Sequence, residues 1–326
     1  MEKTKRIMVS LLLCLSVFIA ACSSKEDKWQ KQLEQQLKIT ETKLSRLSKH
    51  IDEGNIANVG ILKQYATIVK QQKPETRELV QALALDAGAD GPIMKGLKVR
   101  LSDAKADIPG AVSMGDEQVN KVFQELSSIE AAAKPDTYGM LLSDPINVLA
   151  DMSQGKLARV ASMSKEASKR INDAEDFGVG SQLVGNPQYG HWSSQGSGGS
   201  FWQWYGQYAF FSSMFSRPIS YGSWGNHRDY SYYNDYGRSM YTSPSQRSQQ
   251  ETVERRTREK FKRSNKTFKS PYATTKQTTA KVSRTQSKFQ PKTIAKSKTR
   301  TASSKTTTSN YRSSSHQSSR SSYGGK

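Results

Sequence analysis

Cysteine is almost absent from this chain, since only Cys14 and Cys22 occur among its 326 residues. Both lie near the amino terminus, so the rest of the chain has no thiol that could form a disulfide bond, ligate a metal or attack a substrate. The sequence therefore excludes disulfide-stapled folds and cysteine chemistry after residue 22, and packing alone must stabilise the protein.

Histidine and catalytic motifs are also scarce. The four histidines are scattered over different segments, and no GxSxG, HExxH or phosphate-binding glycine loop occurs. His227 with Asp229 and Asp235 comes nearest to a metal-ligand set, but a lone histidine in a turn-rich stretch is a weak signal. We therefore predict that the protein is not an enzyme and holds no metal or cofactor.

A hydrophobic run long enough to cross a membrane is missing as well. The longest mostly apolar run, residues 7–20, has about fourteen residues, whereas a spanning helix needs roughly 20. Lys3, Lys5 and Arg6 precede it, which is the arrangement of a secretory signal peptide. An ordinary cleaved signal peptide and an uncleaved signal anchor are both compatible with this run alone.

The end of the run is more specific. Ile19, Ala20 and Ala21 precede Cys22, and this stretch resembles the lipobox of bacterial lipoproteins. The resemblance covers the first 22 residues. It implies removal of residues 1–21, attachment of diacylglycerol to the Cys22 sulfur and acylation of the new amino terminus. Two or more acyl chains give stable membrane anchoring, so we expect an exported protein tethered to a membrane.

Ser23 refines the expected location. Lipoproteins retained in an inner membrane carry aspartate at this position, so the resemblance favours the periplasmic side of the outer membrane in a cell with two membranes. In a cell with one membrane, it implies the outer face of that membrane. The sequence does not distinguish the two envelopes.

Residues 22–175 have helical periodicity and predict an α-helical domain. Its first helix, from about residue 25 to 53, has apolar or small residues at alternating spacings of four and three, which form a heptad seam. This pattern is typical of a dimeric coiled coil and of one helix in an intramolecular bundle, and the helices that follow favour the bundle. The seam residues are Leu33, Leu37, Thr40, Leu44, Leu47 and Ile51.

Further helices are predicted over residues 55–72, from Pro74, from Pro92 and over residues 116–134, with a break at residues 107–110. A last amphipathic run begins near Ser143 and continues to about residue 171. Sustained two-residue alternation does not occur in this domain. The predicted fold class is all-α, a helical bundle or extended helical array of five to seven helices whose first helix is coiled-coil-like.

Glycine and serine dominate the end of residues 176–200, which we interpret as a flexible linker. Residues 201–241 then contain 15 of the chain's 29 aromatic residues. This aromatic segment could lie in a membrane interface, stack on glycan rings or pack onto the helical domain as a cap. For the first two alternatives the candidate contact residues are Trp202, Trp204, Tyr205, Phe210, Phe211 and Trp224.

Acidic residues are absent from the end of the chain. Residues 260–326 contain 17 lysines and arginines and no aspartate or glutamate, and they account for most of the net charge of +20. With few apolar residues, the whole of 242–326 is predicted to be a disordered Lys/Arg/Ser/Thr-rich tail, apart from a short helix near residues 250–262. The candidate polyanion-binding residues are Lys260, Lys262, Arg263, Lys266, Lys269, Lys292, Lys296, Lys298 and Arg300.

The expected partner of this tail depends on the compartment. A basic tail of this kind would indicate nucleic acid in the cytoplasm, but export makes nucleic acid unlikely and favours peptidoglycan, lipopolysaccharide, teichoic acid or anionic lipid. The leading hypothesis is a non-enzymatic envelope lipoprotein that acts as a scaffold or tether. The alternative is an accessory or stress-response subunit of a membrane complex, in which the helices and aromatic segment bind a protein partner or a second copy of the chain.

Overall fold

The computed structural model of the chain describes residues 24–160, 174–175, 177–194 and 199–272. The predicted signal peptide, Cys22 and the tail residues Lys292, Lys296, Lys298 and Arg300 lie outside these ranges. The fold is the all-α helical array that the sequence predicts. Its helices are α1 (Lys25–Asp52), α2 (Val59–Gln72), α3 (Arg77–Ala84), α4 (Pro92–Met114), α5 (Asp116–Ala132), α6 (Pro135–Leu141), α7 (Ser143–Met152), α8 (Tyr221–His227), α9 (Arg238–Tyr241) and α10 (Pro244–Arg263).

The first helix forms as its sequence predicts. Ser24 and Asp27 make a capping box that satisfies backbone donors at its start. All six seam residues are buried, and α4 and α5 of the same chain cover the seam, which is the intramolecular bundle arrangement. Thr40 fits into this apolar seam because its hydroxyl donates hydrogen bonds to the backbone carbonyls of Gln36 (2.8 Å) and Leu126 (3.3 Å).

The described residues form two hydrophobic clusters. The smaller cluster joins the first half of α1 to the facing halves of α4 and α5, and we call residues 25–40, 101–114 and 116–126 the three-helix arm. An ion pair between Lys25 and Asp116 (2.6 Å) closes its outer end. The larger cluster holds the remaining helices and the aromatic segment, and we call this part the body.

The predicted break at residues 107–110 is wrong, because α4 continues through Pro109 to Met114. A proline inside a helix removes one backbone donor, but Pro109 is exposed, so water can bind the carbonyl left without its partner. On the opposite face, Ala104, Ile108 and Ala111 are buried against α1 and α5. The turn comes instead at Gly115, whose φ of 98° favours glycine.

The last predicted helix ends earlier than the amphipathic run, which extends from Ser143 to about residue 171. Helix α7 ends at Met152, and both Gln154 (φ 56°) and Gly155 (φ 85°) have left-handed backbone conformations that cannot continue it. The Ser153 hydroxyl accepts a hydrogen bond from the Leu157 amide (2.9 Å) and fixes the turn. The remainder of the predicted run, residues 161–173, lies outside the described residues.

The interpretation of residues 176–200 as a linker is also corrected. Strand β1 (Gly190–Ser194) pairs antiparallel with β2 (Ser200–Trp204), with Gly190 opposite Trp204 and Ser194 opposite Ser200. Gly190 is required for close packing and not for flexibility, because a Cβ there would lie 2.2 Å from the carbonyl oxygen of Gln203. Within the described ranges, every helix is too short or too polar to cross a membrane.

Candidate polyanion-binding surface

The aromatic segment packs into the core of the body, which is the third of the predicted alternatives. Trp224 and Phe211 are 1% and 0% exposed and Trp202 is 6% exposed. The ring faces of these three residues are therefore covered by the protein, and the prediction that they contact a membrane or a glycan is wrong. Trp204 is half-buried, with its ring centroid 4.8 Å from that of Phe211. Only Tyr205 and Phe210 of the six candidates are substantially exposed.

A buried carboxylate attaches this segment to the helical domain. Asp144, 2% exposed at the start of α7, accepts hydrogen bonds from the backbone amides of Tyr232 (2.7 Å) and Tyr233 (2.9 Å). Burial raises the pKa of Asp144 to about 8, although the two amide donors oppose this change. The sequence predicted only the start of a helix near Ser143, because the hydrogen-bond partners of Asp144 lie 88 and 89 residues away.

A second buried carboxylate has the same function at another point. Asp86 accepts hydrogen bonds from the Tyr189 hydroxyl (3.0 Å) and the Ile93 amide (3.2 Å). The Tyr138 hydroxyl donates to the backbone carbonyl of Asp86 (2.9 Å). Burial raises the pKa of the Asp86 carboxyl to about 7, against the effect of both donors. Asp86 thus connects α4, α6 and the segment before the hairpin.

This pKa gives a stability prediction. The folded protein retains a proton on Asp86 up to about pH 7, whereas the unfolded chain releases it near the ordinary aspartate pKa of 3.8. The stabilisation is therefore fully present below about pH 4 and is lost as the pH rises through about 7. Between about pH 4 and pH 7, the Asp86 carboxyl should lower the free energy of unfolding by on the order of 3 kcal/mol, and the Asp86→Asn variant should lack this decrease.

Denaturant titrations at several pH values would measure this difference. Asp90→Asn is the matched control, because the Asp90 side chain is 92% exposed in the same region of the chain. Equal slopes of stability against pH for the Asp86→Asn variant and the unsubstituted protein would contradict the prediction.

Asp229 and Asp235, the aspartates nearest to a metal-ligand set in the sequence, bind arginines. Asp235 forms a double hydrogen bond with Arg228 (2.5 and 3.0 Å), and Asp229 faces Arg159 (3.4 Å), which also pairs with Asp151 (2.6 Å). Among residues 24–160, 174–175, 177–194 and 199–272, there is no group of three or more histidine, cysteine or acidic side chains that could hold a metal. These ion pairs are parts of the core.

Helix α10 shows that the predicted disorder of residues 242–326 begins too early. Ser243 and Gln246 form a capping box, Pro244 occupies the first turn, and the helix runs to Arg263. Gln250, Val253 and Thr257 are buried at helical spacing. The sequence indicated only a short helix here, because this face has one strongly apolar residue and depends on contacts with distant parts of the chain.

Two glycines in α8 let α10 and the chain after it approach closely. A Cβ at Gly222 would lie 2.9 Å from the Phe261 ring, and one at Gly225 would lie 2.8 Å from the Phe268 ring. After α10 the chain folds back: Ser270 donates to Glu254 (2.9 Å), Arg228 donates to the Pro271 carbonyl, and the Arg238 guanidinium lies 4.1 Å from the Tyr272 ring centroid. Residues 264–272 are therefore fixed against the body.

The outer face of this unit is strongly basic. Eight cationic side chains are exposed on α10 and on the returning chain, and we call them the cationic ridge: Arg255, Arg256, Arg258, Lys260, Lys262, Arg263, Lys266 and Lys269. The five sequence-predicted tail residues that fall within the described ranges all belong to the ridge. Sequence reasoning missed the three arginines, because Glu251, Glu254 and Glu259 among them made the region appear charge-balanced.

Three glutamates on α10 offset only part of the charge of the eight cations. Glu254 is the most engaged of the three glutamates, since it pairs with Arg258 (2.7 Å) and accepts hydrogen bonds from Ser270 (2.9 Å) and Tyr221 (3.3 Å). A shallow cavity of about 360 Å³ lies in the ridge and is lined by Arg258, Lys262, Asn265, Lys266, Thr267 and Phe268, without a carboxylate. Such a surface can hold an anionic polymer through several simultaneous charge contacts.

Comparison with known proteins identifies no relatives. No protein-family model, no curated protein and no solved structure matches the chain.

Proposed function

We propose that this protein is an envelope lipoprotein, attached to a membrane through Cys22, whose cationic ridge and basic tail bind an anionic envelope polymer. The observation that carries the proposal is the ridge itself, because eight exposed cations are held by a folded helix and its return segment. Its binding groups are therefore partly preorganised, which lowers the entropy cost of binding compared with a flexible tail alone.

The three-helix arm supports a tethering function. Cys22 lies two residues before Ser24, the capping residue of α1, so a lipid at this position would hold the outer end of the arm at the membrane. From Ser24 to Thr40, α1 extends about 24 Å at 1.5 Å per residue. The ridge lies on the half of α10 that packs on α8, which is an element of the body. The ridge therefore belongs to the body and not to the arm that would carry the lipid.

Charge determines the class of ligand. Each basic residue near an anionic surface contributes about 1 kcal/mol, and residues 273–326 add twelve more cations without an acid. Peptidoglycan, lipopolysaccharide, teichoic acid and anionic lipid all supply the required carboxylates or phosphates. The binding should weaken with salt, because the interactions are screened within about 8 Å at physiological ionic strength.

Co-sedimentation with purified cell-wall sacculi tests this proposal. The chain from residue 22, carrying Cys22→Ser to prevent acylation, is compared with the same chain ending at Tyr272. A cut at residue 241 would be unsuitable because it removes the buried Val253, Phe268 and Tyr272. We expect both proteins to pellet at low salt, with the shorter one released at a lower salt concentration because it has only the ridge.

If only the longer protein pellets, residues 273–326 carry the binding, and the proposal that the ridge binds the polymer is wrong. If neither protein pellets, the same pair is tested on vesicles that contain anionic lipid and on lipopolysaccharide. Failure on all three polyanions would overturn the proposed function.

A groove in the helical domain supports the alternative, a protein-binding accessory subunit. It measures about 800 Å³ between α4, α5 and the start of α10, and the exposed side chains of Val99 and Met114 lie on its rim. A partner protein that inserts into the groove would cover both apolar side chains. Under this alternative, charge reversal in the ridge would leave the protein's cellular function intact, whereas Val99→Asp with Met114→Asp would abolish it.

A further inference from the structure

A cleft without formal charge lies between the β-hairpin and the first half of α10. We call it the hairpin cleft, and it is separate from the cationic ridge, which lies on the second half of α10. It has a volume of about 40 Å³, enough for a hydroxyl group or one ordered water but not for a whole sugar ring. Its lining residues are Gly185, Pro187, Gly190, His191, Trp192, Trp202, Tyr205, Gln246, Gln249, Gln250 and Val253.

An aromatic pair lies at the mouth of this cleft and is not part of the core. The rings of His191 and Tyr205 are stacked, with centroids 5.7 Å apart and planes at 26°. Tyr205 is 38% exposed and His191 is exposed, although most other aromatic residues of this segment are buried. The stacking itself contributes to the stability of the hairpin, and the exposed ring face of Tyr205 is also available to a ligand with a flat apolar face.

A buried donor lies beside the floor of the cleft. Trp202 is only 6% exposed, and its indole N–H has no acceptor within the part of the chain that the structure describes. A Cβ at Gly190 would lie 2.9 Å from Cε2 of Trp202, the carbon bonded to that nitrogen, which places the donor next to the cleft residue Gly190. This nitrogen has almost no accessible surface, so the Trp202 ring forms part of the wall of the cleft and its N–H is not a contact for a ligand.

The third component is a row of amides on the opposite wall. Gln246 and Gln249 line the cleft from α10, and Gln249 is exposed. The Gln246 oxygen already accepts from the Ser243 amide (3.0 Å), so its amide nitrogen is the group that can bind a ligand. Gln250 is used internally, since its amide nitrogen donates to Gly185 and to Tyr233, both at 3.1 Å. Side-chain amides offer both donors and acceptors, and the described lining contains no Asp, Glu, Lys or Arg. The chemistry therefore suits a neutral ligand rich in hydroxyl groups.

We propose that the hairpin cleft binds a pyranose ring of an envelope glycan. The C–H face of the sugar stacks on Tyr205, its hydroxyl groups bond to Gln249 and Gln246, and one hydroxyl or acetamido group enters the cleft. This interaction goes beyond the binding of polyanions, because it requires no charge on the ligand. It does not depend on the cationic ridge.

Neutral oligosaccharides test the proposal without interference from charge. The chain from residue 22 with Cys22→Ser is titrated with chitotetraose, maltotetraose and mannotetraose in 0.5 M NaCl, and binding is followed by tryptophan fluorescence and calorimetry. We expect saturable binding of at least one of them. Tyr205→Ala and Gln249→Ala should each weaken it at least 10-fold, whereas Tyr205→Phe, which keeps the ring, should lose much less.

Phe210→Ala is the matched control, because Phe210 is a similarly exposed aromatic residue (43%) that does not line the cleft. It should bind the oligosaccharide as the parent does, as should a ridge variant with reversed charges. Absence of binding to all three oligosaccharides at millimolar concentration would overturn the cleft proposal, and so would unchanged affinity in the Tyr205→Ala and Gln249→Ala variants. Neither result would affect the salt-dependent binding on which the proposed function rests.

Discussion

Asp144→Ala should destabilise the fold by about 3–5 kcal/mol. The substitution leaves the buried amides of Tyr232 and Tyr233 without an acceptor, and each unsatisfied buried donor costs about 1–3 kcal/mol. It also leaves a cavity among side chains that have little freedom to collapse, since the neighbouring Tyr233 is 0% exposed. The loss should appear as a lower midpoint in denaturant unfolding, followed by far-ultraviolet circular dichroism.

The near-ultraviolet signal should be affected before the helical signal. Asp144 fixes the aromatic segment to α7, and that segment carries most of the buried tryptophan and tyrosine rings. The three-helix arm has its own hydrophobic cluster, so we expect its helices to persist when the aromatic packing is lost. Asp144→Asn keeps one acceptor oxygen and should lose about half as much stability.

Asp103→Ala in α4 is the control for this experiment, because Asp103 is exposed and should change stability by no more than about 0.5 kcal/mol. A free energy of unfolding for Asp144→Ala within 1 kcal/mol of the parent would show that the two amides find other partners. The attachment of the aromatic segment would then have to depend on Asp86 and the apolar contacts.

Reversing four charges in the cationic ridge should weaken binding to an anionic polymer at least 100-fold. Arg255, Arg256, Lys262 and Lys266 are exposed, so Glu at these positions leaves the core unchanged while it replaces attraction by repulsion. At about 1 kcal/mol for each lost contact near an anionic surface, four reversals exceed the 2.7 kcal/mol that a 100-fold change requires. The slope of affinity against salt should also become shallower.

The matched control reverses four exposed cations on α1, Lys28, Lys31, Lys38 and Arg46. Both variants have the same net charge, so a difference between them measures the location of the charges and not their sum. Co-sedimentation at several salt concentrations, with the chain ending at Tyr272, gives both affinities. Equal losses of affinity in the two variants would show that only the net charge of the protein matters. Unchanged affinity in the ridge variant would show that the ridge does not bind the polymer.

The helical domain was largely predictable because its signals are local. The seam of α1 and the proline that begins α4 each act within one or two helical turns. Pro109 shows the limit of such reasoning. Its local signal is a helix break, but a continuous buried face on the other side of α4 outweighs the single lost hydrogen bond.

The sequence predicted the positive charge of the cationic ridge but not its folded structure. The absence of acidic residues after residue 259 is a property of the sequence alone, and it singled out five of the residues that form the ridge. Their rigid arrangement depends on Gly222 and Gly225 in α8, which accommodate Phe261 and Phe268. No pattern within residues 242–272 contains that information.

The sequence by itself therefore determined the helical periodicity of the domain and the concentration of cations at its end, because both follow from the order of neighbouring residues. Only the tertiary structure decided that the aromatic segment is core, that the presumed linker forms a hairpin and that α10 is folded. These features depend on pairs far apart in the chain, such as Asp86 with Tyr189 and Asp144 with Tyr232. Buried hydrogen bonds of this kind form only when packing has excluded water from both partners.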